Sequence, residues 1–327
     1  MSTGNDHEDD DIFGDSDIEE IARDDFPTYF LQIDNRLYTS STTAPYPLPV
    51  DTPEMTRVDV QHSILEVLIG ANYLGPVRDV LAPEEGRRKV VIDIGTGRGK
   101  WLIEMAREFP HVHFIGLDIA PISPQYDLPD NVVFEIHDIN EQTRFQAGSV
   151  DLVHARSVSL GVRDFRVIIN EAARLLRPGG LFFSGEWARR PVFHPQMNLT
   201  PSVDAVHLSH FFQALTNALE QCRGIYHVSD RIPDMILQTG LFRDITRQLF
   251  RMPIGDEGPW QGDQQWMWLG RIYRACIRRY VESCKRILLE VGLSETQYNA
   301  LYRNVLMEIK EVPGLIGEYN TVYASRL

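Results

Sequence analysis

Residues 90–101 read VVIDIGTGRGKW. An apolar run from Val90 to Ile94 meets glycines at 95, 97 and 99. A helical spacing follows at once, with Trp101, Leu102, Met105, Ala106 and Phe109 on one face. Buried strand, glycine turn and amphipathic helix in succession form the device by which an α/β sheet brings its backbone up to a nucleotide-like ligand. Glycine allows that approach because it carries no Cβ. The stretch predicts a parallel sheet and leaves open which nucleotide is held.

The surrounding pattern agrees. Apolar strands are expected at 112–117, 132–136, 150–154 and 181–184. Helices are expected at 100–109 and at 164–177, the latter opened by Asp164 and stopped by Pro178-Gly179-Gly180. Such alternation argues for a mostly parallel sheet covered on both faces. Upstream, a proline-rich linker at 41–53 precedes a helix marked by Ile64, Leu65, Leu68, Ile69 and Tyr73, which should stop at Gly75-Pro76. After Glu186 the pattern changes. Residues 187–201 read as irregular. Helices are expected at 202–221 (apolar face Val203, Val206, Phe211, Ala214, Ala218 and Cys222), at 230–239 and at 264–290, with another opened by a Ser294/Gln297 capping box. Late strands are expected at 242–250 and 319–325. The expected divisions are an acidic disordered tail at 1–25, an extension with a cap helix at 26–88, a ligand-binding core at 89–186, and a helical lid at 187–327 that includes the last strands at about 241–252 and 317–325.

Charge narrows the function. Of the formal net charge of −14, residues 1–25 carry −10, and the rest of the 327 residues is nearly balanced. The tail is too charged and too poor in apolar residues to order on its own; it reads as a solubilising segment, with docking to a basic protein partner as the alternative. No basic block exists to meet a phosphate backbone, so nucleic acid is not expected as a partner. No signal pattern or membrane-length apolar run is visible, so no membrane contact is expected and a cytoplasmic setting, with a nuclear one as alternative, is. Cys222, Cys276 and Cys284 fall at no metal-like spacing and read as ordinary thiols; no metal is expected.

The ligand can be argued from the acids. A dinucleotide fingerprint needs G-x-G-x-x-G, but Lys100 stands where the third glycine would be. Asp93, two residues before the first glycine, would repel a pyrophosphate and favour a cationic ligand end, such as the amine of S-adenosylmethionine (SAM). Asp118, closing FIGLD, is placed to accept ribose hydroxyls. Asp138, in FEIHDIN, is placed to accept an adenine amino group beside Ile139. Three acids at successive strand ends, together with the glycines, favour SAM over NAD(P), whose oxidoreductases remain a distant alternative.

VVIDIGTGRGKW, FIGLDIAPISP, FEIHDIN, VDLVHAR and LLRPGGLFFSGEW together resemble a class I SAM-dependent methyltransferase. The upstream YPLPVDTPEMTRVDVQH is similar to the fungal LaeA-like and trans-aconitate-methyltransferase-like group. The resemblance covers roughly 45–190. It implies a Rossmann-like seven-stranded sheet with the last strand antiparallel, and SAM at the carboxyl ends of the first strands. Carried over by position, Asp93, Gly95, Thr96, Gly97 and Gly99 would surround the methionine part. Asp118 and Ile119 would hold the ribose, Asp138 and Ile139 the adenine, and Arg156 and Ser157 would lie beneath the sulfonium. Tyr46 and Arg57 are candidate contacts to the SAM carboxylate. Arg98 departs from the smaller residue the turn often carries.

Methyl transfer from SAM needs alignment first and a base only where the acceptor holds a proton. Candidate bases are Glu186, His154, His194, His207 and His210, none preferred. His207 and His210 share a helix face, but no third ligand accompanies them. The aromatics of the inserted region (Trp187, Phe193, Phe211, Phe212, Trp260, Trp266 and Trp268) are expected to pack, with a roof over an aromatic or terpenoid substrate as their functional reading. The expected activity is methylation of a small molecule, at oxygen, in specialised metabolism. The rival is a LaeA-like regulator that binds SAM and acts through protein partners. The late helices could equally form a homodimer contact.

Overall fold

The computed structural model describes residues 20–121 and 127–327. Most of the expected acidic tail, residues 1–19, lies outside the described residues. Its last part runs into a 3-10 turn at Arg23–Tyr29. A hairpin follows, β1 (Phe30–Ile33) and β2 (Arg36–Thr39). Its two-residue turn places Asp34 and Asn35 at φ 50° and 59°, which these residues tolerate better than most. Helix α1 (Thr52–Ile69) begins inside the expected linker and ends at Gly70, short of Gly75-Pro76. Its start was readable: the Asp51 carboxylate accepts the Glu54 N–H at 3.2 Å, and a proline occupies the first turn.

The core then runs through α2 (Val77–Val80), β3 (Lys89–Ile94), α3 (Lys100–Glu108), β4 (Val112–Asp118), β5 (Val132–Ile136), β6 (Val150–Arg156), α4 (Arg166–Leu175) and β7 (Leu176–Trp187). After it come β8 (Val192–Phe193), α5 (Pro201–Asp204), α6 (Val206–Arg223), α7 (Ile232–Thr239), β9 (Phe242–Pro253), α8 (Gln264–Ser283), α9 (Lys285–Glu290), α10 (Glu295–Glu311) and β10 (Leu315–Arg326). The sheet order is β5-β4-β3-β6-β7-β10, with β9 on the far side of β10. Strands β3 to β7 are parallel, and β10 inserts antiparallel between β7 and β9. This is the expected Rossmann-like seven-stranded sheet, to which the two-residue β8 adds a short pairing with β10.

Alternation along β3 divides the core. Val90, Ile92 and Ile94 face α4 and α7, whereas Val91 faces α3 and packs with Trp101, Leu102 and Phe114. A third cluster lies in the late helices, where Leu208, Phe211, Leu215, Leu269, Val281, Leu288 and Val305 are buried together with Ile64 of α1. Each such side chain contributes about 1.5–3 kcal/mol on burial, so the late helices form a body with its own core.

Several expected boundaries shift. The chain turns extended at Leu176, so Pro178-Gly179-Gly180 lies inside β7, where the pairing with β6 slips. Asp164 accepts the Arg166 N–H at 3.0 Å, yet the residue directly before α4 is Phe165. Residues 202–221 are two helices broken at Ala205 (φ −140°). In consequence Val203 and Val206 of the expected apolar face are 70% and 45% exposed, and the buried stripe is Leu208, Phe211, Leu215, Ala218 and Leu219. Residues 264–290 break at Cys284. The Ser294/Gln297 capping box is formed. No described helix is long and apolar enough to cross a membrane.

Candidate cofactor and acceptor site

The carboxyl ends of β3 to β7, the segment 44–61 and helix α8 enclose a cavity of about 510 Å³. Of the residues singled out in the sequence, Tyr46, Arg57, Gly95, Gly97, Asp118, Ile119, Asp138, Ile139, Arg156, Ser157 and Glu186 line it. Asp93, Thr96, Gly99, His154, His207 and His210 are not in its wall.

The three glycines have different reasons for being glycine. All sit at positive φ, 68°, 58° and 74°. A Cβ on Gly95 would lie 2.6 Å from Val158, and one on Gly99 would lie 2.2 Å from the Phe134 ring. A Cβ on Gly97 would meet nothing within 4 Å. Only Gly97 therefore leaves open space for a ligand; the other two admit protein neighbours. Gly99→Ala should cost about 2–4 kcal/mol, from the left-handed backbone and the clash with Phe134, read as a lower urea midpoint. Gly97→Ala should cost only about 1–2 kcal/mol while weakening ligand binding.

Asp93 does not face the ligand turn. It is buried on the α3 side of the sheet, and in the β3–β6 register it stands beside His154. His154 Nδ1 donates to Asp93 Oδ1 at 2.6 Å. The imidazole is stacked between Trp101 (3.5 Å between centroids) and Phe183 (5.2 Å). Burial holds the His154 pKa below its ordinary value, more than Asp93 raises it. A neutral, enclosed imidazole outside the cavity is a core fixture, so His154 is no base. A neutral imidazole leaves the Asp93 charge in place, and that charge still helps to raise the Asp118 pKa across the turn.

Asp118 does face the turn. Its Oδ2 accepts the Gly97 N–H at 2.9 Å and its Oδ1 the Ala120 N–H at 3.2 Å. Burial pushes its pKa up to about 6, against the pull of these N–H donors. Asp138 accepts the Thr43 hydroxyl at 2.5 Å and the Asn140 N–H and side-chain amide at 2.9 and 2.7 Å. Burial would raise its pKa, but these donors hold it below the usual range. Thr43 was not anticipated; it ties the chain before α1 to the end of β5.

Arg57 lines the cavity with its charge already met. It donates to Glu54 Oε1 from Nε (3.0 Å) and Nη2 (2.7 Å), and to Gln61 Oε1 at 2.7 Å. The other Glu54 oxygen accepts the Ser283 hydroxyl at 2.6 Å, which joins α1 to α8. Arg156 donates to His62 Nδ1 at 2.6 Å, and His62 Nε2 donates to Glu104 at 2.7 Å. His62, Glu66 and Glu104 could gather round a cation, but both His62 nitrogens are engaged and the Arg156 cation stands beside them. Ser157, next along, holds φ 58°, a strained conformation of the kind that collects at functional sites. Gln61 and His62 close the stretch YPLPVDTPEMTRVDVQH, but the sequence assigns them no role: His62's partners are remote in the chain, and Gln61 reaches Arg57 one helical turn away and Ser157 across the cavity.

Of the candidate bases, Glu186 alone reaches the cavity. It is buried and accepts the Val158 and Ser159 N–H groups (2.7 and 3.0 Å) and the Ser159 hydroxyl (2.8 Å). Burial pushes its pKa up to about 7 despite these donors. His207 lies on α6, where its backbone N–H donates to Glu308; His210 is exposed; His194 lies edge-on to Trp260 in a separate hollow. Of the late aromatics singled out as a roof, only Trp187 and Phe212 line the cavity; Tyr273 and Tyr280, which were not among them, line it as well, with Trp187 stacked on Tyr273 at 4.7 Å. Phe193 and Phe211 are core, and Trp266 and Trp268 are partly exposed. The three cysteines are free.

A methyltransferase-domain family profile matches residues 70–222. The secondary metabolism regulator laeA of Coprinopsis cinerea is 28% identical over 283 residues, covering 84% of this chain and 68% of that protein. The methyltransferase pytC of Aspergillus terreus is 28% identical over 253 residues, covering 76% of this chain and 72% of that one. Among solved structures, phosphoethanolamine N-methyltransferase 2 of Haemonchus contortus in complex with S-adenosyl-L-methionine has a TM-score of 0.46 at 17% identity. It covers 89% of this chain, which spans 61% of that one. That likeness is too loose to bear on function. The sequence match runs against an NAD(P) oxidoreductase: residues 70–222 carry a methyltransferase domain, of the SAM-dependent class.

Proposed function

We propose that this protein methylates a small organic acceptor, at oxygen, inside the cavity. The observation that supports this is continuity: one enclosure runs from Asp118 and Asp138 to the chamber of Trp187, Phe212, Tyr273 and Tyr280. The residues fit a SAM molecule. The space at Gly97 is open, Asp118 suits the ribose, Asp138 with Ile139 suits the adenine, and Gly95, Arg156, Ser157 and Tyr46 complete the enclosure. Bound there, SAM supplies an activated methyl group on a good leaving group. The chain's part is to align the acceptor and exclude water, which can lower a barrier by up to roughly 7–11 kcal/mol. Asp93, Thr96 and Gly99 act from behind, shaping the turn. Arg57 shapes the wall, its charge being spent on Glu54.

Glu186 is the proposed proton acceptor for a hydroxyl substrate. A carboxylate offers four lone pairs and three donors are in place, so one position on Oε2 is free. A pKa near 7 suits general-base work at neutral pH. The test is transfer of labelled methyl from SAM to a panel of phenols, alcohols and acids. Turnover in the wild type should rise with pH through about 7. Glu186→Gln should lose that limb and about 10²-fold in rate; a variant that keeps the limb leaves Glu186 a structural fixture only.

A second reading has the relative's name in its favour. If this chain acts as a regulator through protein partners, labelled methyl from SAM added to a fungal extract will enter protein and none will enter the organic phase.

A further inference from the structure

Four guanidinium groups line the cavity: Arg57, Arg98, Arg156 and Arg189. Three are spent inside the protein. Arg57 forks Glu54, Arg98 donates to Asp59 at 3.2 Å, and Arg156 donates to His62. Arg189, two residues past the end of β7, is different. Its Nε and Nη2 are buried with no hydrogen-bond partner, and among the described residues no carboxylate pairs with it. Nε and Nη2 form the edge with which Arg144 grips Glu135 in this same chain, at 3.1 and 2.7 Å. The neighbouring Trp187 Nε1, also in the wall, is likewise buried and without an acceptor. The one carboxylate at hand, Glu186, feels the Arg189 charge but makes no hydrogen bond to it; three other donors hold it, and its one open position on Oε2 is not taken by either Arg189 nitrogen.

This end of the cavity therefore has more unpartnered donors than open acceptors: three N–H groups against one position on Glu186 Oε2. A buried cation without a counter-charge is costly, and a fold keeps one where a ligand brings the missing charge. A guanidinium selects planar oxyanions by its paired N–H groups. Trp187, Tyr273 and Tyr280 offer the apolar surface beside it.

We infer that Arg189, assisted by the Trp187 N–H, is the specificity-determining anchor for an acceptor that carries an oxyanion, carboxylate or phosphate, on an aromatic or otherwise apolar body. This rests on reading the cavity as the methyl-transfer site. Arg189 is an anchoring residue and takes no part in bond making.

The test titrates 3-phenylpropanoate, phenyl phosphate and the neutral 3-phenylpropanamide into protein saturated with S-adenosylhomocysteine, by calorimetry. At least one anion should bind tenfold or more tightly than the amide, and which one does so names the oxyanion. In Arg189→Leu that gap should close, and Arg189→Lys should keep part of it. S-Adenosylhomocysteine affinity should be the same in all three proteins. The thermal midpoint of Arg189→Leu should not fall, since the change removes an unpaired charge; a purely structural arginine would show a fall. Equal binding of amide and anions, no binding of either anion, or a gap that survives in Arg189→Leu overturns the inference alone. A tenfold loss of S-adenosylhomocysteine affinity in Arg189→Leu also overturns it, and reassigns the guanidinium to the cofactor's carboxylate. Wild-type protein that fails to bind S-adenosylhomocysteine overturns the underlying site reading as well.

Discussion

Arg57→Met should lower the thermal midpoint by roughly 5–7 °C. The substitution strands the Glu54 carboxylate, which is 1% exposed, with the Ser283 hydroxyl as its one remaining side-chain partner and, beyond that hydroxyl, an Arg36 cation already paired with Asp51. Breaking one side of a buried ion pair costs roughly 3–5 kcal/mol, because the remaining charge has no water to return to. At about 2.1 cal/mol/K of unfolding entropy per residue, a change of 1 kcal/mol moves the midpoint of a chain this long by roughly 1.5 °C. Glu54→Gln combined with Arg57→Met should recover more than half of the loss, because it removes the stranded charge. Calorimetry of the two proteins decides it; a double variant as unstable as the single one would mean that packing against Tyr280, 5.5 Å from the guanidinium, dominates.

The second large effect concerns binding. Asp118→Ala should weaken S-adenosylhomocysteine affinity about 100-fold or more. Hydrogen bonds to a charged group contribute about 1.5–3 kcal/mol each, and the carboxylate is proposed to accept both ribose hydroxyls while it also holds the Gly97 N–H. Loss of that N–H contact loosens the turn as well. The pH dependence carries a sign. The Asp118 pKa is raised to about 6, so the ionised acceptor is lost as pH falls through about 6. Wild-type affinity should decline below that pH, and Asp118→Asn should be flat there. For stability the sign is opposite. A carboxyl whose folded pKa lies above its unfolded value favours the folded state while protonated. Asp118 and Glu186 should therefore each subtract stability as pH rises from about 4 towards 7, in the unliganded protein. Unaltered affinity in Asp118→Ala would falsify the ribose assignment.

How much could be read beforehand follows from the range of each interaction. The period of Val90–Ile94, the glycines and the Ser294/Gln297 box are local, and each is found where the sequence placed it. Asp93 was misplaced because its position along β3 is local but its partner is not. Val91 and Asp93 share a face of the strand, and His154 reaches that face only through the register of β6. The same holds for Glu186, whose donors come from the loop after β6. Arg189 had no signal at all, since what marks it is a missing partner. The apolar face at 202–221 was misjudged because one helical period was drawn through Ala205, where the chain leaves the helical region.

Much of the cavity wall is built outside residues 70–222. Tyr46 and Arg57 precede that span, while Tyr273, Cys276 and Tyr280 come after it. So does β10, which occupies the edge of β7. A fragment trimmed to the recognisable family segment would begin without a floor for its ligand. It would also end in a half-finished sheet whose bare strand invites another chain to pair with it. Anyone wishing to shorten this protein for crystals or assays should cut outside both flanks, and should expect insoluble material from a cut at either border.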